Sequence, residues 1–125
     1  MKARRRPVAA WPETIWLVRH GQSAGNVARE LAEAGRLHVI DVPTRDMDTP
    51  LSELGRRQAL ALGRWFGALP RERQPDAVLC SPYRRTVDTA RLIVEGGRLD
   101  LPPGAICVDE RLREKEFGIL DRLTV

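Results

Sequence analysis

Ile15-Trp16-Leu17-Val18-Arg19-His20-Gly21-Gln22-Ser23-Ala24-Gly25-Asn26 is the stretch that decides the fold. A short apolar run ends at an arginine and a histidine, and a polar, glycine-containing turn follows. Such a bounded run reads as a buried strand over Thr14 to Arg19. Gly21 and Gly25 let the backbone turn tightly before a helix starts. His20 therefore stands at the carboxyl end of a strand, at the mouth of a helix. In open α/β sheets that edge is where ligands bind. An imidazole there can attack phosphorus, while guanidinium groups and helix-terminal amides hold the phosphoryl oxygens.

Working outward, strand and helix patterns alternate. A helix is expected over 25–34, with Val27, Leu31 and Ala34 on one face and Gly35 ending it. Residues 36–50 keep no period and read as a loop, long enough to serve in substrate binding. Ser52 is expected to cap a second helix running to about Leu69, with a stripe of Leu54, Ala61, Leu62, Trp65 and Leu69. Ala77 to Cys80 reads as a second strand. Ser81 and Pro82 then open a third helix, with Thr86, Ala90 and Ile93 or Val94 inward and Gly96-Gly97 ending it. Ala105 to Val108 reads as a third strand, and the segment from Glu110 is charged, then apolar. This alternation implies a largely parallel sheet covered on both faces.

Composition bounds the function. The chain has 125 residues, 42% of them hydrophobic, which suits one modest domain with a core. The net charge is +4 and the isoelectric point about 9.8. Lys2, Arg4, Arg5 and Arg6 account for the whole excess, so residues 1–12 read as a basic tail and residues 13–125 as the domain. No aromatic-interleaved basic face or zinc spacing points to specific nucleic-acid recognition. No apolar run approaches a membrane span, and the charged start is not followed by a signal-peptide core. The expected compartment is the cytoplasm. Cys80 and Cys107 read as small buried hydrophobes rather than a disulfide framework.

Two further clusters follow expected strands and so fall on the same sheet edge as His20. One is Ser81 through Ala90, carrying Arg84 and Arg85. The other is Leu112-Arg113-Glu114-Lys115-Glu116-Phe117-Gly118. Each alone reads as solvated surface. Together with Arg19-His20-Gly21, Ser23 and Asn26, and with the stretch Pro50 through Ala59, they resemble the histidine phosphatase superfamily, the phosphoglycerate mutase-like proteins. The resemblance spans about residues 14–120.

That resemblance implies an α/β/α sandwich with a mainly parallel sheet and assigns roles. His20 is the phospho-accepting nucleophile and Glu114 the proton donor, with Glu116 the weaker match. Arg19, Asn26 and Arg85 bind phosphate, with Ser23 and Arg84 as secondary candidates, and Gln58 is a helix position rather than a chemical one. No metal or organic cofactor is implied. The expected activity is a phosphatase on a small phosphorylated metabolite. The alternatives are a mutase, or a binding domain without turnover. Gly25 stands where the mutases carry tryptophan, which favours the phosphatase. The family's second, late active-site histidine has no counterpart, since His38 falls in the wrong place. The chain thus reads as the front part of the domain, truncated at the C-terminus, with an unpaired sheet edge through which copies could associate.

Overall fold

The computed structural model describes residues 11–115 together with Arg122 and Leu123. The basic run at residues 1–10 and Glu116 lie outside the described residues. Among the described residues there are three α-helices and two strands, alternating from α2 onward: α1 (Ala24–Ala34), α2 (Glu53–Gly67), β1 (Val78–Cys80), α3 (Arg84–Gly97) and β2 (Ile106–Val108). The strands pair in parallel, Val78 beside Ile106 and Cys80 beside Val108, with α3 as the crossover between them. The class is α/β, as the alternation predicts. Among the described residues no helix is long and apolar enough to cross a membrane.

Local signals explain the helix starts. Ser23 caps α1 in a reciprocal box with Asn26, and Ser52 caps α2 by accepting from the Gly55 amide at 3.1 Å. Gly35 ends α1 as expected.

The apolar faces differ from the expected stripes. On α1, Leu31 is 69% exposed; the packed face is Ala28 and Ala32, set against Ile40 and Val42. The 36–50 loop is thus partly core, and it contains a 3-10 turn at Asp46–Asp48. On α2, Leu54 and Trp65 are largely exposed, and the buried residues are Gly55, Ala59, Gly63 and Phe66. Leu62 and Leu69 of the expected stripe do pack against the Phe66 cluster, but Gly55, Ala59 and Gly63 carry no signal for a reading that follows large apolar residues. A Cβ on Gly63 would lie 2.3 Å from the Ile93 carbonyl oxygen of α3, so the two backbones nearly touch. Gly96 and Gly97, expected to end α3, are instead its last turn, pressed against Leu60 and Gly63 of α2. The helix ends at Arg98, in the left-handed region at φ 47°.

Four further expectations are corrected. Residues 14–19 form no strand. Trp16 packs edge-on to Trp65 and Phe66, while Ile15 and Leu17 are exposed, so the segment is anchored by one aromatic side chain rather than a backbone ladder. The described sheet has two strands, not three. Ser81 does not cap α3; its hydroxyl accepts from the Tyr83 amide at 3.1 Å, tightening the turn before a helix capped by Tyr83. Cys107 is exposed and only Cys80 is buried. Adjacent strand residues point to opposite faces, and Cys107 stands in register with Leu79, so the two thiols face apart.

Two outcomes follow from this packing. Gly63→Ala gains about 1 kcal/mol of helix propensity but forces overpacking worth about 1–3 kcal/mol. Urea unfolding is expected to show a net loss of stability. In the folded protein iodoacetamide is expected to alkylate Cys107 well before Cys80, whose thiol pKa is raised chiefly by burial. Mass-spectrometric mapping over time checks the order.

Candidate active site

Arg85 is the centre of the site. Helix periodicity places Arg85 and Thr89 on the buried face of α3, one turn apart. The Arg85 side chain is only 6% exposed. An unpaired guanidinium at that depth would cost several kcal/mol. Its Nη1 donates to the main-chain oxygen of Asp46 at 2.8 Å and to Asp46 Oδ1 at 2.9 Å. Its Nη2 donates to Glu114 Oε2 at 2.7 Å, with Asp46 Oδ2 more distant at 3.4 Å. The guanidinium also lies over the fully buried Tyr83 ring, 4.8 Å from its centroid. Burial alone would lower the Arg85 pKa. The hydrogen bonds and charges of Asp46 and Glu114 outweigh it and hold the pKa above the ordinary value.

The segment after β2 delivers Glu114. Asp109 caps a 3-10 turn at Glu110–Leu112 by accepting from the Arg111 amide at 2.9 Å. Its carboxyl pKa is lowered to about 2, first by the side-chain hydrogen bonds from Arg111. Farther on, the Tyr83 hydroxyl donates to the Glu114 main-chain oxygen at 3.3 Å, fixing the backbone there.

The His20 turn is held from two helices. The Gly21 amide donates to Thr89 Oγ1 at 3.2 Å, and that hydroxyl donates to the Arg85 carbonyl at 2.6 Å. On the other side a Cβ on Gly21 would lie 2.4 Å from the Gly55 oxygen, so only glycine permits this approach to α2. Gln22 completes the clamp. Its amide donates to Gln58 Oε1 at 2.9 Å, and its main-chain and side-chain oxygens accept from Ser52. His20 is half-buried, with Nδ1 2.6 Å from the Gly21 carbonyl oxygen. A carbonyl can only accept, so this contact puts the proton of a neutral ring on Nδ1 and leaves the Nε2 lone pair free.

The expected site residues thus divide. Arg85 and Glu114 are in direct contact, and His20 is tied to the same helix face through Gly21 and Thr89. Asn26 and Ser23 lie at the start of α1, where the Asn26 carboxamide oxygen accepts from the Ser23 amide and hydroxyl. Arg19 is exposed. Arg84 points away, 3.5 Å from Asp88 on the outer face of α3. The sequence reading missed Asp46, Tyr83 and Thr89. Thr89 was within reach, since it follows Arg85 by four residues on one helix face. Asp46 carried no signal among the acidic residues of its loop. Gln58, read as a helix position, turns out to hold the turn beside His20.

With this geometry in hand, comparison with known proteins is decisive. Residues 15–125 match the family model of the histidine phosphatase superfamily (branch 1). The chain belongs to the histidine phosphatase superfamily. It is 38% identical over 108 residues to the glucosyl-3-phosphoglycerate phosphatase of Mycobacterium tuberculosis, covering 86% of this chain and 39% of that protein. It is 32% identical over 108 residues to a probable phosphoglycerate mutase of Cronobacter sakazakii, covering 86% and 40%. A solved structure of the mycobacterial glucosyl-3-phosphoglycerate phosphatase with VO3 superposes with a TM-score of 0.57 at 35% identity, covering 84% of this chain and 42% of that one. The chain therefore spans about two fifths of the histidine phosphatase relatives it matches.

Arg84 and Arg85 give a direct contrast. Arg85→Ala leaves Asp46 and Glu114 without their shared cation and is expected to cost about 3 kcal/mol. Arg84→Ala, on a solvated pair, is expected to change stability by less than about 0.5 kcal/mol. Denaturant midpoints of the two variants check the difference.

Proposed function

We propose that this chain carries phosphatase chemistry on a small phosphorylated metabolite, through a phosphohistidine at His20. Nε2 attacks phosphorus while Nδ1 stays oriented by the Gly21 carbonyl. The phosphoryl oxygens are held by Arg85 and Arg19 and by the α1 start at Asn26, with Ser23 supporting that start. As the Nε2–P bond forms and the P–O bond breaks, Glu114 in its protonated form gives its proton to the leaving oxygen; water then attacks phosphorus, the N–P bond breaks, and the water's proton returns to the Glu114 carboxylate. No metal or cofactor enters this scheme.

The observation that carries the reading is the 2.7 Å contact between Arg85 and Glu114 on the helix face that also holds Gly21. It joins an anion-binding group and a proton donor to the turn bearing the nucleophile. The similarity to a glucosyl-3-phosphoglycerate phosphatase supports a phosphorylated small molecule as the substrate class. A mutase is the second reading, favoured by the similarity to a probable phosphoglycerate mutase. We assign the reaction to the cytoplasm, since two free cysteines suit a reducing compartment.

Incubation with a phosphate-labelled aryl phosphate is expected to place acid-labile, base-stable label on His20 and to release inorganic phosphate. His20→Ala is expected to abolish both. Label that survives in His20→Ala overturns the nucleophile. Isomerisation of a phosphoglycerate without net phosphate release selects the mutase.

A further inference from the structure

Arg85 holds more negative charge than it can neutralise. One guanidinium faces two carboxylates, Asp46 and Glu114, and a phosphoryl group would bring still more. An arriving anion competes with them for the same guanidinium. The two are not equally held. Asp46 engages Nη1 through its main-chain oxygen and Oδ1, and its loop is tied down nearby by Thr49, which is buried and donates to the Arg45 carbonyl at 2.9 Å. The two carboxylates are almost equally exposed, 37% for Asp46 and 40% for Glu114, but the Glu114 side chain engages Nη2 through a single 2.7 Å bond. Its backbone is anchored separately, by Tyr83 at the Glu114 main-chain oxygen. The side chain can thus turn while the chain stays in place.

We propose that the phosphoryl group of a substrate exchanges with the Glu114 carboxylate for Nη2 of Arg85, while Asp46 keeps Nη1. The inference rests on reading Arg85 as a phosphate-binding residue. The Glu114 carboxylate is thus the resident anion on Nη2. Binding then does two things in one movement: it fills the fork of Arg85, and it frees the Glu114 carboxyl to face the leaving oxygen. Asp46 is in this scheme a positioning residue, which keeps the guanidinium plane fixed while its other arm changes partner.

The test is calorimetric titration of the full chain with inorganic phosphate, at low and at high salt. Glu114→Ala removes the resident competitor and is expected to tighten phosphate binding about tenfold, a gain that persists at high salt because it is exchange rather than screened repulsion. Asp46→Ala removes the same charge from the same guanidinium, yet is expected to leave binding unchanged or weaker. Glu114→Gln, of nearly equal size, is expected to tighten binding in the same direction and serves if the alanine variant does not fold. Unchanged or weaker binding in both Glu114 variants overturns the exchange. So does equal tightening in Asp46→Ala and Glu114→Ala that vanishes at high salt, which is repulsion alone. Arg85→Ala is expected to abolish binding. Full phosphate affinity in that variant overturns the reading of Arg85 itself, a failure distinct from the other two.

Discussion

The burial of one permanent positive charge organises this molecule. A guanidinium cannot shed its proton to escape an apolar setting, so Arg85 must be met by acceptors wherever α3 carries it. Those acceptors come from far apart in the chain: the loop after α1 supplies Asp46, and the segment after β2 supplies Glu114. Both segments end on that one charge. Tyr83, fully buried beneath the guanidinium, serves the same end from below.

A second constraint is close backbone approach. The α2–α3 interface is built from small residues, which bring the helix axes together and set where the start of each helix stands. The His20 turn fits into the angle this creates. Gly21 lies against Gly55, and its amide reaches Thr89, while Gln22 is gripped by Ser52 and Gln58. The imidazole is thus carried by a rigid corner made of two helices rather than by a sheet ladder.

Local signals made much of this legible. Ser52 and Gly35 marked helix ends because capping is a short-range hydrogen-bonding effect, visible in a few neighbouring residues. The two short strands and their helical crossover were readable from alternation alone. The preference for Arg85 over Arg84 came from the family resemblance; in the structure Arg85 meets Glu114 while Arg84 meets Asp88. What stayed hidden depends on partners remote in sequence. The exposed Leu54 and Leu31 were misjudged because apolarity says nothing about which face a neighbouring helix will press upon, and a glycine ridge has no apolar signature. The 14–19 run has strand composition, but composition does not supply a neighbouring strand to pair with. Asp46 reads as one loop acid among several until the fold brings it to Arg85.

The chain from α1 to the end of the 36–50 loop leaves and returns at nearly the same point. Ser23 bridges Leu51, the Ala24 amide donates to Pro50, and the Ser52 amide donates to Gln22, so the excursion is closed at its base like the neck of a purse. Lengthening or reshaping a closed excursion adds little entropic cost and leaves its neck in place. Evolution can therefore vary the exposed parts of that excursion as an exchangeable cassette, provided Asp46 still meets Arg85 and Ala32 still packs on Ile40 and Val42. The histidine corner below it need not move.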